Sequence, residues 1–86
     1  MSTVATIKDR LATLQPSYLD VIDDSAQHAG HIGARDGGGH YRIHIVSERF
    51  AGLPTMARHR LVYDALGSLM EGAIHALSIT ARTPAE

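Results

Sequence analysis

The stretch His40-Tyr41-Arg42-Ile43-His44-Ile45-Val46-Ser47 decides the fold. Tyr41, Ile43 and Ile45 fall on one face at the two-residue period of an extended chain, and His40, Arg42 and His44 fall on the other. The segment is therefore expected to be a strand with one face in the core and one in water. Upstream, Tyr18-Leu19-Asp20-Val21-Ile22-Asp23 predicts another strand, with Leu19 and Val21 sharing a face. Downstream, His75 to Arg82 predicts a third, in which Leu77, Ile79 and Ala81 alternate with Ser78, Thr80 and Arg82. His75 shares its parity with Leu77 and Ile79, which puts it at the edge of the core face.

The segments around these strands read as helices. Val4, Ile7, Leu11 and Leu14 recur at helical spacing, Ser2 or Thr3 can cap the N-terminus, and Pro16 stops the run. Phe50 to Pro54 reads as a turn. Thr55 is then expected to cap a second helix reaching about Met70, with Leu61, Val62, Ala65, Leu66, Leu69 and Met70 as its apolar stripe. Gly67 weakens that helix and Gly72 ends it. The order is helix, strand, strand, helix, strand. The first two strands then form an antiparallel hairpin, and the crossover helix makes the second and third parallel. The result is an α+β chain, α-β-β-α-β, with a three-stranded mixed sheet whose helices cover one face.

Eighty-six residues suit one domain, here 1–86. A chain of this size buries only about 60–65 % of its unfolded surface and has little room for a deep cleft. The formal net charge of −1 gives no global attraction to nucleic acid or an anionic membrane. The first residues lack the basic start and apolar core of a signal peptide, and no apolar run approaches the ~20 residues that cross a bilayer. A cytoplasmic protein without membrane contact is the expectation. There is no cysteine, so the chain has neither a disulfide nor a thiolate ligand, but there are six histidines. Two of them, His28 and His31, lie in the segment 27–39 between the first two strands, which also holds five glycines. A connection of that length within a hairpin is more often functional than a tight turn.

Several separated motifs together resemble the BolA family. They are Val21-Ile22-Asp23-Asp24-Ser25, the His40–Ser47 strand, Phe50-Ala51-Gly52, Arg58-His59-Arg60-Leu61-Val62-Tyr63, Ala65-Leu66, Ile74-His75-Ala76-Leu77-Ser78-Ile79 and Thr83-Pro84. The resemblance covers nearly the whole chain. It implies a fold similar to the second class of KH domain, which agrees with the order read from the residues. It also implies an adaptor rather than an enzyme, one that pairs with a monothiol glutaredoxin and shares a bridging [2Fe–2S] cluster. Some members are described as stress-responsive transcriptional regulators.

Under that resemblance His75 matches the family's cluster-ligating histidine. For a lone histidine taken blind, a hydrogen-bonded core-edge role would be favoured. A loop residue is expected to supply a second imidazole. Aligning from Ser25 points to His28 and counting back from His40 points to His31, with His28 preferred. A [2Fe–2S] cluster takes four ligands. Two imidazoles from this chain would leave the remainder to a glutaredoxin cysteine and a glutathione thiol, with no cluster expected on the isolated chain, which is expected to be a monomer. A ligating imidazole must be unprotonated, so the mixed complex is expected to lose its cluster at about pH 6 and below.

Arg58, His59 and Arg60 open the second helix. Arg58 and Arg60 are expected to face solvent. They read either as solvated side chains beside a hydrogen-bonding His59, or as a basic patch, joined by Arg42 and Arg49, for an acidic partner or for phosphates. The patch motivates the alternative of a DNA-binding regulator, which would bind in a salt-sensitive way. Zinc or copper binding at the histidines is a third reading, since imidazole suits both metals. Gly30-His31-Ile32-Gly33 matches a KH-type GxxG only formally, because it lies between strands and carries no basic residue. Ser47 has no evident triad partners.

Overall fold

The computed structural model describes residues 2–25 and 38–86. Helix α1 spans Thr3–Leu11, and Ser2 caps it by accepting the Ala5 N–H at 3.1 Å. A 3₁₀ turn over Ala12–Leu14 follows, and Gln15 adopts a left-handed conformation at φ 52° before Pro16. Strands β1 (Tyr18–Asp23) and β2 (Gly39–Val46) pair antiparallel, with Val21 opposite Ile43. Helix α2 spans Thr55–Leu66, and β3 (Ile74–Arg82) pairs parallel with β2, which gives the sheet order β1-β2-β3.

The core is the set of side chains the two periods select. Ile7, Leu11 and Leu14 from the first helical segment meet Val21, Tyr41, Ile43 and Ile45 from the sheet and Val62 and Leu66 from α2. Phe50 is fully buried in the turn before α2. The opposite face of the sheet carries the exposed Arg42, His44, Ser78, Thr80 and Arg82. The α+β mixed sheet read from the sequence is therefore the architecture found.

Two polar contacts fix the joints. Ser47 is fully buried; its hydroxyl donates to the Leu14 carbonyl at 2.6 Å and accepts the Arg49 N–H at 3.1 Å. It ties the end of β2 to the end of the α1 segment. Arg10 reaches the Leu66 carbonyl at 3.3 Å, which links the two helices at the C-terminus of α2.

Three local expectations are corrected. Thr55 does not cap α2. Pro54 occupies the cap position in extended conformation, makes no side-chain cap, and its carbonyl accepts the Arg58 N–H at 3.1 Å. The α-helix also stops at Leu66 rather than near Met70, because Gly67 turns to φ 54°, and the chain continues as a 3₁₀ turn over Gly67–Glu71. Finally, His75 does not share a face with Leu77 and Ile79. Gly39 pairs with Ile74 but His40 pairs with Ala76, so β3 advances two residues for one on β2. This irregularity puts Ile74 in the core and leaves His75 exposed.

Candidate functional site

The bulge at the start of β3 makes the site. An extra residue in a strand re-aims a side chain, and here that side chain is an imidazole. The ring of His75 stands 5.3 Å from the ring of His40, with the planes tilted by 51°. His40 is half-buried at the start of β2. Its backbone N–H donates to the Ser25 hydroxyl at 3.1 Å, and its carbonyl accepts the Asp24 N–H at 2.7 Å. Beside it, Asp24 pairs with the guanidinium of Arg42. The Asp23 carboxylate accepts the Ser25 N–H at 2.8 Å, and hydrogen bonds from Ser25 hold its pKa below the ordinary value.

Glycine permits this approach of strands. A Cβ on Gly38 would lie 2.5 Å from the His75 Cβ, and one on Gly39 would lie 2.5 Å from the Tyr41 ring. Real Cβ atoms do not come so close; at Gly38 the neighbour is the Cβ and backbone of β3, so that position requires a bare backbone, whereas at Gly39 it is the far end of the Tyr41 side chain. Ser25 stands against His40 and Gly38 stands against His75. The residues flanking the segment 26–37 therefore stand beside the backbone of His40 and His75. His28 and His31 lie outside the described residues, as does the Gly30–Gly33 match.

The arginines occupy the other end of β3. His75 and Ala81 are six residues apart on the strand, or roughly 20 Å. Arg58 does not face solvent as expected: its side chain is only 13 % exposed. Its Nε donates to the Leu53 carbonyl at 2.7 Å and one Nη to the Ala81 carbonyl at 3.1 Å, while both Nη atoms hold the Glu86 carboxylate. That ion pair, with the Thr83 N–H at 2.9 Å, lowers the Glu86 pKa from 4.5 to about 2. Arg58 is thus a clamp between α2 and β3. Arg60 is exposed as expected, and with Met56, His59 and Tyr63 it lines a shallow groove on the outer side of α2.

No group of three or more metal-ligating side chains is found among the described residues. At this corner they provide the exposed imidazole of His75 with His40 beside it, in a chain without cysteine. Imidazole donors of this kind fit a metal group whose remaining ligands come from elsewhere. His40 is the residue that sequence reasoning left on the polar strand face. Its position directly after three glycines was the available signal.

Comparison with known proteins places these observations in a family. A family model described as BolA-like protein matches residues 11–86. The chain is 47 % identical over 78 residues to SufE-like protein 1, chloroplastic/mitochondrial, of Arabidopsis thaliana, covering 85 % of this chain and 21 % of that protein. It is 43 % identical over 72 residues to the DNA-binding transcriptional regulator BolA of Vibrio cholerae, covering 84 % of this chain and 65 % of the relative. The solved structure of BolA1 from Arabidopsis thaliana superposes with a TM-score of 0.84 at 34 % identity, covering 100 % of this chain and 96 % of that one. The chain thus spans about a fifth of the SufE-like protein and just under two thirds of the Vibrio regulator.

Proposed function

This chain belongs to the BolA-like protein family, and on that premise we propose that it is an adaptor and not an enzyme. In this reading it binds a monothiol glutaredoxin and contributes histidine to a [2Fe–2S] cluster held between the two proteins, in cytoplasmic iron–sulfur homeostasis and the stress response. The observation that carries the reading is the exposed His75 imidazole, set out by a strand irregularity, in a chain with no thiolate of its own.

His75 would hold the cluster from this side, with His28 or His31 as the second imidazole. Neutral imidazole in place of thiolate lowers the negative charge on such a group and raises its potential. The residues of this chain act by orientation. The Gly38 backbone lets β2 and β3 close on His75, and the His40 ring packs beside the ligand. Cysteine and glutathione sulfur come from the partner side.

The test is anaerobic reconstitution of the chain with a monothiol glutaredoxin and glutathione. A heterodimer should form, with a visible spectrum different from that of glutaredoxin alone. His75→Ala should diminish that difference while leaving protein association measurable. No heterodimer and an unchanged spectrum would contradict the proposal. Titrated downward in pH, the mixed complex should bleach at about pH 6 and below, because the ligating imidazoles take up protons. A spectrum constant through that range would count against histidine ligation.

DNA binding is the second reading, favoured by the exposed Arg60 beside His59 in the groove on α2 and by the similarity to a Vibrio cholerae protein named as a DNA-binding transcriptional regulator. Arg58 is withdrawn from it by its contacts to Glu86. The reading expects Arg60→Ala to weaken a salt-sensitive affinity for duplex DNA, and it fails if no binding occurs at physiological salt.

A further inference from the structure

The Arg58 clamp has the form of a filled carboxylate site. A cleft between the first turn of α2 and the end of β3 is lined by Thr55, Arg58, His59, Thr80 and Arg82, and Glu86 lies within it. Arg58 is held rigid from below by two backbone carbonyls, so its guanidinium presents its remaining edge outward in a fixed plane. The Glu86 carboxylate meets that edge with both oxygens and also accepts the Thr83 N–H. Two parallel guanidinium–carboxylate bonds with a third donor from the backbone form a directional receptor for a planar anion. Among the residues lining the cleft, Glu86 is the one acidic group, set against Arg58, Arg82 and His59.

The present occupant reaches the receptor from a tight turn. The Glu86 N–H donates to the Thr83 carbonyl at 3.1 Å, while its own carboxylate returns to the Thr83 N–H. The Glu86 side chain is 41 % exposed, three times the exposure of Arg58 beneath it, so the occupant is accessible and the receptor is shielded. We propose that this cleft is a binding site for the glutamate side chain of an acidic peptide segment in a partner protein, and that Glu86 is its resident, displaceable occupant. A peptide is favoured over a free acid because the site already receives a side chain together with its own short turn. The cleft lies at the far end of β3 from His40 and His75, so its occupation is compatible with use of the histidine corner.

The experiment compares the full chain with Glu86→Ala, using an acetylated, amidated Thr-Pro-Ala-Glu peptide as the probe. The side-chain Nε–H resonance of Arg58 and the backbone amide of Thr83 are followed by NMR. A tethered competitor acts at an effective concentration in the millimolar range, so its removal should tighten peptide binding about tenfold. Both resonances should return toward their wild-type positions on saturation. Glu86→Ala combined with Arg82→Ala should bind several-fold more weakly than Glu86→Ala alone, with the fold of each variant verified by its amide spectrum. Equal affinity in the full chain and Glu86→Ala, or shifts that avoid Arg58 and Thr83, would overturn the site and leave the pair as a purely structural contact. Free glutarate or inorganic phosphate binding Glu86→Ala as tightly as the peptide would overturn the assignment to a peptide.

Discussion

A methyl group at position 38 would sit 2.5 Å from the His75 Cβ and 3.2 Å from its backbone nitrogen. The neighbour is strand backbone and cannot rotate away, so Gly38→Ala must push β2 from β3 at their shared start. Overpacking of this kind costs about 1–3 kcal/mol. The expected outcome is a lowered urea midpoint together with a loss of cluster loading in the mixed complex. Unchanged values for both would mean that the strands tolerate the group. Glu86 has a different signature. Its folded pKa of about 2 lies below the ordinary 4.5, so its ion pair contributes stability above the ordinary value and loses it as pH falls through about 2. Glu86→Gln should lower the urea midpoint by a constant amount at neutral pH, and the difference from the full chain should vanish by about pH 2. A difference that persisted there would assign the effect to packing.

Each strand and helix followed from its own period, because a core face is a pattern that neighbouring residues declare together. Tyr41, Ile43 and Ile45 all reach the core, as do Val62 and Leu66 from the predicted stripe. What escaped the sequence were features set by partners distant along the chain. The register shift opposite Gly39 depends on how two strands meet, so simple alternation placed His75 on the wrong face. Arg58 read as solvated because nothing in Arg58-His59-Arg60 announces a carboxylate 28 residues away. Gly67 was recognised as a weak point, but its positive φ, which ends the α-helix, is a property of the folded backbone. Ser47 belongs to the same class. Lacking triad partners, it proves to be a joint between β2 and the α1 segment. Ser47→Ala should leave the Leu14 carbonyl and the Arg49 N–H without this partner in a dry site, at a cost of about 1–3 kcal/mol. A thermal melt within error of the unsubstituted chain would show that these groups find other partners.

Across the whole molecule, the two proposed sites are separated along β3. One end presents histidine beside the flanks of the segment 26–37, and the other locks α2 to the sheet through Arg58 and Glu86. Between them the outer sheet face is polar and exposed, with Tyr18 edge-on to His44 at a ring separation of 5.2 Å. No helix among the described residues is long and apolar enough to cross a membrane. Among the described residues the exposed His75 nitrogen stands beside His40 in a sequence without cysteine, which is the physical basis for proposing a shared site. Pulsed EPR on the reduced complex with a monothiol glutaredoxin tests this most directly, using histidine labelled with ¹⁵N in this chain alone. The account predicts ¹⁵N couplings from directly bound imidazole that lose one component in His75→Ala. A cluster with no coupling to nitrogen of this chain would contradict it.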